Sequence, residues 1–188
     1  MDNTIIEIIA TVLGLVQGVL VWMDKRSNWI AYCLQYVFMT VFSINAHLYG
    51  DITNCIIYFI IGVFGWFMWN NKSTKPIRYC SSKERILYAL VFVVSSAILY
   101  FVLKQTNDPL PLLDAFTTAG GYVATYYMLT RKVDTWILWF IIDVLYIIEY
   151  YMLPDQAWYL MGLNLIWTFM AVGSFLTWNK KAKEALKQ

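Results

Sequence analysis

Seven apolar stretches constrain the fold of this chain more than any other feature. A helix needs about 20 apolar residues, with roughly 17–25 tolerated, to cross the hydrocarbon core of a bilayer. Lipid offers no partner to an unpaired backbone group, and the stretches are too long for barrel strands. The sequence therefore predicts an all-α membrane protein with seven transmembrane helices, at Ile5–Met23, Trp29–Ala46, Ile52–Trp69, Ile86–Leu103, Leu112–Leu129, Trp136–Leu153 and Ala157–Trp178.

The composition argues against a soluble domain. Of the 188 residues, 60% are hydrophobic and 14% charged, whereas a soluble domain carries about 25% charged residues. The aromatic share of 18% is typical of bilayer interfaces, where amphipathic rings accumulate. A net charge of only +2 gives no support to a nucleic-acid partner. The lipid bilayer is the expected environment, and the first apolar stretch is expected to be retained as a span.

The basic residues predict the orientation in the membrane. Lys104 alone follows an even-numbered span, while every other lysine and arginine follows an odd-numbered span and so falls on the opposite side. Under the positive-inside rule that side is cytoplasmic. We therefore expect a multi-pass protein of the bacterial inner membrane, with its N-terminus outside and its C-terminus inside. The basic residues on the cytoplasmic side are Lys25, Arg26, Lys72, Lys75, Arg78, Lys83, Arg85, Arg131, Lys132, Lys180, Lys181, Lys183 and Lys187.

An internal repeat is visible when the chain is shifted on itself. The shift that sets Glu7 on Asp114, which we call the repeat register, overlays the first two spans on the fifth and sixth. A slightly longer shift, which sets Tyr58 on Trp167, overlays the third span on the seventh. The other matching positions are small, polar or interfacial residues: Thr11/Thr118, Gly14/Gly121, Lys25/Lys132, Trp29/Trp136, Gly62/Ala171, Gly65/Ser174, Trp69/Trp178 and Asn70/Asn179.

Two three-helix units in the same orientation need one span between them, which the fourth supplies. The sequence thus predicts a 3+1+3 parallel repeat: a first repeat at 1–72, a basic loop and linker helix at 73–111, and a second repeat with a basic tail at 112–188. Transporters of this plan bind substrate between the repeats near mid-membrane. Seven unrelated helices are the alternative interpretation.

An acid near the middle of the sixth span is the leading candidate for substrate binding. Trp136, Trp139, Asp143, Tyr146 and Tyr150 are spaced so that they share one helix face; we call them the Asp143 stripe. A charged residue at that depth costs at least about 2.5 kcal/mol on insertion scales, so it should face protein or water. The functional interpretation is an acid with aromatic walls that binds an organic cation. The alternative is an acid that ties two helices together.

Other spans contribute candidates at helical spacing. Tyr58 and Trp167 are predicted to stack on a ligand, although the small residues on the same faces also predict close helix packing. The amides of Gln35 and Asn164 are predicted to hydrogen-bond the ligand, or else to join helices. The acids near the outer ends of spans fit packing or capping at least as well as substrate contact: Glu7, Asp114 and Glu149.

Several function classes lack the residues they need. His47 is the only histidine and lies in a loop, so neither a metal site nor a nucleophile–base pair is predicted. The last span contains no lysine for a retinal pigment, and no phosphate-binding loop is present. We expect no enzyme activity, no cofactor and no ATP drive. Cys33, Cys55 and Cys80 are expected to be free thiols. A non-transport membrane receptor or scaffold remains an alternative.

Four stretches resemble the PnuC family of bacterial vitamin transporters, and the resemblance covers nearly the whole chain. They are IEIIATVLG (6–14), GWFMW (65–69) after LYG (48–50), and MLTRKVDTWILWFIIDV (128–144). The resemblance implies a 3+1+3 fold related in plan to the sugar-transporting SWEET proteins. It also implies facilitated diffusion, homotrimers, and trapping of the substrate by a cytoplasmic kinase. Family members carry nicotinamide riboside, thiamine, riboflavin or deoxynucleosides.

The chain departs from the nicotinamide riboside pattern of this family at three positions. Asp143, Gln35 and Gly62 stand where that pattern has asparagine. Nicotinamide riboside and thiamine both carry a permanently cationic ring, which suits Asp143 in either case. The added acid and the lost amides favour thiamine, with nicotinamide riboside as the alternative and another vitamin or nucleoside behind both. The residues predicted to bind the vitamin are Asp143, Trp139, Tyr146, Tyr58, Trp167, Gln35 and Asn164.

Overall fold

A computed structural model describes residues 3–45, 49–70, 75–106, 108–152 and 158–187 of the chain. His47, the loop around Pro154 and the side chain of Glu7 lie outside the described residues. Across the described ranges the chain forms seven helices, which confirms the all-α prediction: α1 Asn3–Trp22, α2 Asn28–Asn45, α3 Tyr49–Met68, α4 Ser82–Leu103, α5 Pro111–Leu129, α6 Thr135–Met152 and α7 Trp158–Ala185.

Three helices in the described parts of the chain are long and apolar enough to cross a membrane. They are Ser82–Leu103, Thr135–Met152 and Met161–Ala185, with Ile8–Trp22 and Asn54–Met68 as shorter apolar helices. The apolar side chains of α4 are largely exposed on the protein surface, as lipid-facing side chains must be. Membrane insertion of all seven helices remains a prediction.

The chain divides into two compact units, Met1–Thr74 and Lys75–Gln188. In the first unit, α2 packs against both α1 and α3. In the second unit, α5 packs against α4 and α6, and α6 also packs against α7. The three-part division at 1–72, 73–111 and 112–188 stays a prediction.

Glycines in the first unit bring α2 directly against the α3 backbone. A methyl group on Gly65 would overlap the ring of Trp29, and one on Gly62 would lie 2.6 Å from Cys33 Sγ and 2.9 Å from Tyr32 Cδ1. Trp29 is fully buried and meets Trp69 edge-to-face, with ring centroids 5.6 Å apart. The close packing of α2 on α3 therefore depends on the missing side chains at these two positions.

Small residues also make α5 the buried helix of the second unit. Twelve of its 19 residues are buried, most of them alanine, glycine or threonine. At Gly120 an added methyl group would lie 3.1 Å from Ile142 of α6 and 3.6 Å from Phe92 of α4. Close approach from two sides is what small residues permit in membrane helices. This packing fixes the position of α6, which carries the Asp143 stripe.

The α1–α2 and α5–α6 turns adopt the same backbone conformation. α1 and α5 are each followed by a residue of positive φ, Asp24 at 62° and Arg131 at 58°. The bonds around these residues form a Schellman-type helix ending. Six N–H to C=O bonds of the first turn recur in the second at the repeat register: Met23–Val19 and Thr130–Tyr126, Asp24–Val21 and Arg131–Met128, Lys25–Leu20 and Lys132–Tyr127, Asn28–Lys25 and Thr135–Lys132, Trp29–Arg26 and Trp136–Val133, Ala31–Ser27 and Leu138–Asp134.

The segment before α4 is joined to the α5–α6 turn through its backbone. The Arg78 N–H donates to the Arg131 carbonyl at 3.1 Å, and the Val133 N–H donates to the Arg78 carbonyl at 3.0 Å. The Cys80 N–H donates to Asp134 Oδ2 at 2.8 Å. An irregular loop thus behaves as a short parallel strand against the turn that precedes α6.

Ion pairs reinforce this junction, and we call the residues that form them the clasp: Arg78, Glu84, Arg85, Lys132 and Asp134. Glu84 accepts two hydrogen bonds from the Arg78 guanidinium, at 2.7 and 2.9 Å, and contacts the Lys132 ammonium. Arg85 donates to Asp134 at 2.9 Å. The Lys132 side chain is 3% exposed, whereas that of Arg78 is 47% exposed. The buried pair of Glu84 with Lys132 is therefore the least solvent-screened part of the clasp.

All three cysteines are free thiols, as expected. Burial, with the nearby Asp134 carboxylate second, raises the pKa of the Cys80 thiol to about 11. The thiol is consequently protonated at neutral pH, and thiolate, the reactive form, appears only as the pH rises toward that value. We expect Cys80 to resist N-ethylmaleimide at neutral pH in the folded protein and to react after Asp134→Ala, because that change releases the Cys80 N–H and opens the loop. Peptide mass spectrometry measures the adduct, and equal labelling before and after the change would contradict this prediction.

Candidate functional site

Asp143 is buried in the second unit, with 2% of its surface exposed. It lies two turns into α6, on a helix whose other residues are mostly apolar or aromatic. Within the described parts of the chain, no hydrogen bond or ion pair reaches its carboxylate. Burying an unpaired carboxylate costs several kcal/mol. A cation that arrived beside Asp143 would remove that cost, which makes this residue the centre of the candidate site.

The Asp143 stripe changes character along α6. Trp136 at its start is nearly buried and packs edge-to-face on Trp178 of α7, with ring centroids 5.2 Å apart. Trp139 and Tyr146, on either side of Asp143, are half-buried. Tyr146 stacks on the last member, Tyr150, at 5.7 Å and an interplanar angle of 11°. The first residue of the stripe thus packs α6 against α7, and the later aromatic residues form a half-buried surface around the acid.

The predicted α7 residues lie on the helix that packs against α6. Asn164 is 3% exposed, and its backbone carbonyl accepts a hydrogen bond from the Thr168 hydroxyl at 2.8 Å. Trp167 is half-buried. The structure therefore puts five of the seven predicted binding residues on two neighbouring helices of the second unit.

Two other acids, Glu149 near the end of α6 and Asp114 near the start of α5, have partners within the second unit. Thr117 of α5 donates to Glu149 Oε2 at 3.1 Å, so Glu149 joins α6 to α5. Thr118 donates to Asp114 Oδ1 at 2.9 Å, one turn along the same helix. These contacts fit the packing interpretation of both acids, in contrast to Asp143.

In the first unit the two predicted residues lie in different surroundings. Tyr58 of α3 stacks on Tyr36 of α2, with centroids 4.9 Å apart and planes at 22°. Gln35 instead lies over Gly14 of α1, where an added methyl group would be 2.8 Å from its amide nitrogen. Gln35 therefore belongs to the contact between α1 and α2, whereas Tyr58 belongs to an aromatic cluster between α2 and α3.

Sequence analysis missed two members of this aromatic cluster. Tyr32 lies 4.8 Å from Tyr36 and 6.3 Å from Tyr58, and it also contacts Trp29 at 5.4 Å. The signal was present, because Trp29, Tyr32 and Tyr36 have the same spacing as Trp136, Trp139 and Asp143. Tyr36 thus holds the place in the second span that Asp143 holds in the sixth.

The family model described as nicotinamide mononucleotide transporter matches residues 4–180. The nicotinamide riboside transporter PnuC of Escherichia coli (strain K12) is 23% identical over 214 aligned positions, covering 97% of this chain and 88% of that protein. The riboflavin/roseoflavin transporter RibM of Streptomyces davaonensis is 26% identical over 150, covering 73% of this chain and 68% of RibM.

A solved structure shares the fold. The crystal structure of the vitamin B3 transporter PnuC superimposes with a TM-score of 0.76 at 21% identity, covering 94% of this chain and 81% of that one. All of these relatives are transporters and none is an enzyme, in agreement with the expectation from sequence. Since the family model spans almost the entire length, the chain belongs to the PnuC family of membrane transporters.

Proposed function

We propose that this transporter carries a vitamin with a permanently cationic ring, and that nicotinamide riboside is its substrate. The observation that carries the proposal is Asp143, a buried carboxylate with no partner in the described parts of the chain. A substrate with a fixed positive charge supplies the missing partner and recovers the cost of burial. Trp139 and Tyr146 flank the acid and attract a cationic ring through their π faces.

The other predicted residues complete the proposed contacts with the vitamin. Tyr58 and Trp167 are proposed to stack on its flat parts, and Asn164 to hydrogen-bond its uncharged groups. Gln35 is proposed for the same role, although its place over Gly14 requires its amide to turn away from α1. A flexible side chain can make that movement at low cost.

The order of the two substrate candidates changes with the relatives. By name they carry nicotinamide riboside or riboflavin, and thiamine is not among these names. Nicotinamide riboside therefore takes first place, and the sequence-based preference for thiamine becomes the second candidate. Thiamine is retained because Asp143 suits any cationic ring of similar size.

A 3+1+3 repeat is proposed as the framework of transport. It is supported by the six backbone bonds that recur at the repeat register and by the two positive-φ residues, Asp24 and Arg131, which match in the same register. It is also supported by edge-to-face tryptophan pairs at repeat-equivalent positions, Trp29 with Trp69 and Trp136 with Trp178. Two independent chain segments would rarely share all of these features.

The remaining expectations are part of the same proposal. The protein is proposed to work by facilitated diffusion in the bacterial inner membrane, with its N-terminus outside, as a homotrimer whose substrate is trapped by a cytoplasmic kinase. Differential binding to inward and outward states is all that passive transport requires. Uptake into liposomes that lack any ion gradient tests this part.

Asp143→Asn is expected to remove the preference for a cationic substrate. The probes are nicotinamide riboside and its uncharged dihydro form, which have nearly the same shape. Affinity for the cation should fall by about 1–3 kcal/mol, while affinity for the neutral form changes little, because only the charge pairing is lost. Titration of the purified protein measures both.

Glu149→Gln is the matched control for this experiment. It removes a carboxylate from the same helix, but one that already accepts a hydrogen bond from Thr117. The ratio of the two affinities should stay close to that of the wild type. If Asp143→Asn leaves this ratio unchanged as well, Asp143 has a structural role and the proposal is wrong.

A further inference from the structure

One side of α7 is apolar up to Leu176 and basic beyond it. Exposed residues recur there every three or four positions, which places them on a single face of the helix. The spacing continues to Lys187, since the Lys187 N–H still donates to the Glu184 carbonyl. We call these residues the α7 column: Phe169, Val172, Leu176, Lys180, Lys183 and Lys187.

The opposite side of α7 is packed against the second unit. Trp178 and Ala182 are at most 1% exposed, and Trp178 meets Trp136 of α6 edge-to-face. Between them, Asn179 accepts a hydrogen bond from the Tyr79 hydroxyl. The basic part of α7 is therefore a packed helix with one exposed face, and the lysines on that face have a fixed backbone.

The three lysines of the column make an electropositive surface. Within the described parts of the chain, no ion pair or hydrogen bond reaches their ammonium groups. With Leu176, Asn179 and Glu184 they line a shallow groove of about 390 Å³. Glu184 is the one acid among the residues that line it, so positive charge exceeds negative charge and the groove attracts anions.

The apolar part of this face has the depth of one leaflet. Leu165, one turn before the column, is exposed on the same side, and a helix rises by roughly 16 Å from residue 165 to residue 176. The hydrocarbon core of a bilayer is about 30 Å thick, so one leaflet is about half of that. An acyl chain can therefore lie along the apolar part while the long lysine side chains reach the headgroup.

We propose that the α7 column is a binding site for an anionic phospholipid. Its acyl chain lies along the apolar part of the column, and its phosphate pairs with the three lysines. Charge complementarity carries the proposal, because lysines clustered at the end of a span attract anionic headgroups, and each lysine adds to the attraction. A soluble phosphate would use only the lysines, whereas a phospholipid uses both parts. Lipid binding there does not depend on which vitamin the protein carries.

The test removes the three charges together in the column variant, Lys180→Gln/Lys183→Gln/Lys187→Gln. Native mass spectrometry of the full chain in detergent measures binding of phosphatidylglycerol, which is anionic, and of phosphatidylcholine, which has no net charge. The wild type should prefer phosphatidylglycerol. The column variant should bind it at least about tenfold more weakly, with little change for phosphatidylcholine. Glutamine forms helices about as well as lysine, so the fold should persist.

Two further variants show whether the effect belongs to the column. The control variant, Lys25→Gln/Lys75→Gln/Lys83→Gln, removes three other exposed lysines that are predicted to lie on the same side of the membrane. It should bind phosphatidylglycerol within about twofold of the wild type, because these lysines lie outside the column. Glu184→Gln removes the acid of the groove and should strengthen that binding by about twofold or more.

Four results would overturn the proposal. They are a wild type without preference for phosphatidylglycerol, unchanged binding in the column variant, and an equal loss in the column and control variants, which would assign the effect to overall charge. The fourth is a change of oligomeric state in the column variant alone, which would make this face an interface between copies of the chain. Glycerol 3-phosphate should compete only weakly with the lipid. If it competes as well as the lipid does, the site binds a soluble phosphate and the proposal is wrong.

Discussion

Replacement of Gly65 by alanine is expected to lower the free energy of unfolding by about 3 kcal/mol or more, near the upper end of what overpacking costs. The new methyl group would overlap the Trp29 ring, which is fully buried. Trp69 and Tyr32 also pack edge-to-face with that ring, with centroids 5.6 and 5.4 Å away, so its movement would disturb both contacts. Thermal unfolding in detergent, followed by tryptophan fluorescence, measures the loss.

Gly162→Ala is the same chemical change, but it is expected to raise the free energy of unfolding. Gly162 lies inside α7, and an added methyl group there meets nothing within 4 Å. Alanine should stabilise that helix by about 0.5–1 kcal/mol relative to glycine. Trp29→Ala combined with Gly65→Ala should cost less than the sum of the two single changes, because the clash disappears with the ring. Additive losses would show that Gly65 and Trp29 do not interact in the folded protein.

The helices could be predicted from sequence because the bilayer fixes their length. The predicted ends fall within about one helical turn of the observed ones except the end of α7, which was set at Trp178 and runs to Ala185. The residues after Trp178 are mostly lysine, alanine, glutamate and leucine, which are strong helix formers. Hydropathy locates the edge of the membrane, whereas the helix ends where its hydrogen bonding ends.

The left-handed conformation of the two matching turns could not be predicted from their residues. A helix that ends in the left-handed region normally has glycine there, but this chain has Asp24 and Arg131. The repeat and its register were visible in the side chains, including Lys25 with Lys132 in these turns, and the backbone bonds add a match that the sequence could not show. Tyr36 was overlooked although its spacing was visible, because it matches Asp143 in position and not in residue type.

The contacts of irregular loops could not be predicted from the sequence either. The sequence marked the basic segment before α4 as a loop by its charges, and charge alone does not say which partner a lysine has. Lys132 was counted among the cations of the cytoplasmic loops, yet its side chain is buried against Glu84, far from it in sequence. A contact over that separation has no periodicity that a single sequence could reveal.

Glu84→Ala is expected to destabilise the second unit by about 3 kcal/mol, because it leaves the buried Lys132 ammonium without its carboxylate. This value is at the lower end of the usual cost of removing one partner from a buried ion pair. The lower end applies because the Glu84 side chain is 26% exposed and water reaches it. Part of the loss comes from the start of α4, where Glu84 accepts a hydrogen bond from the Ser81 N–H in a capping box. Glu84→Gln separates the two effects, because glutamine keeps the capping bond and loses the charge.

Lys132→Met and Arg78→Gln complete the series that isolates the buried charge. Arg78 is 47% exposed, so its pairing with Glu84 contributes at most about 1 kcal/mol and Arg78→Gln should have a small effect. Lys132→Met removes the ammonium itself, and the double variant Glu84→Ala/Lys132→Met should regain most of the stability lost in Glu84→Ala. The midpoint of thermal unfolding in detergent ranks the variants. A double variant as unstable as Glu84→Ala would place the whole effect in the helix cap, and the pair of Glu84 with Lys132 would then have no part in holding the turn from which α6 begins.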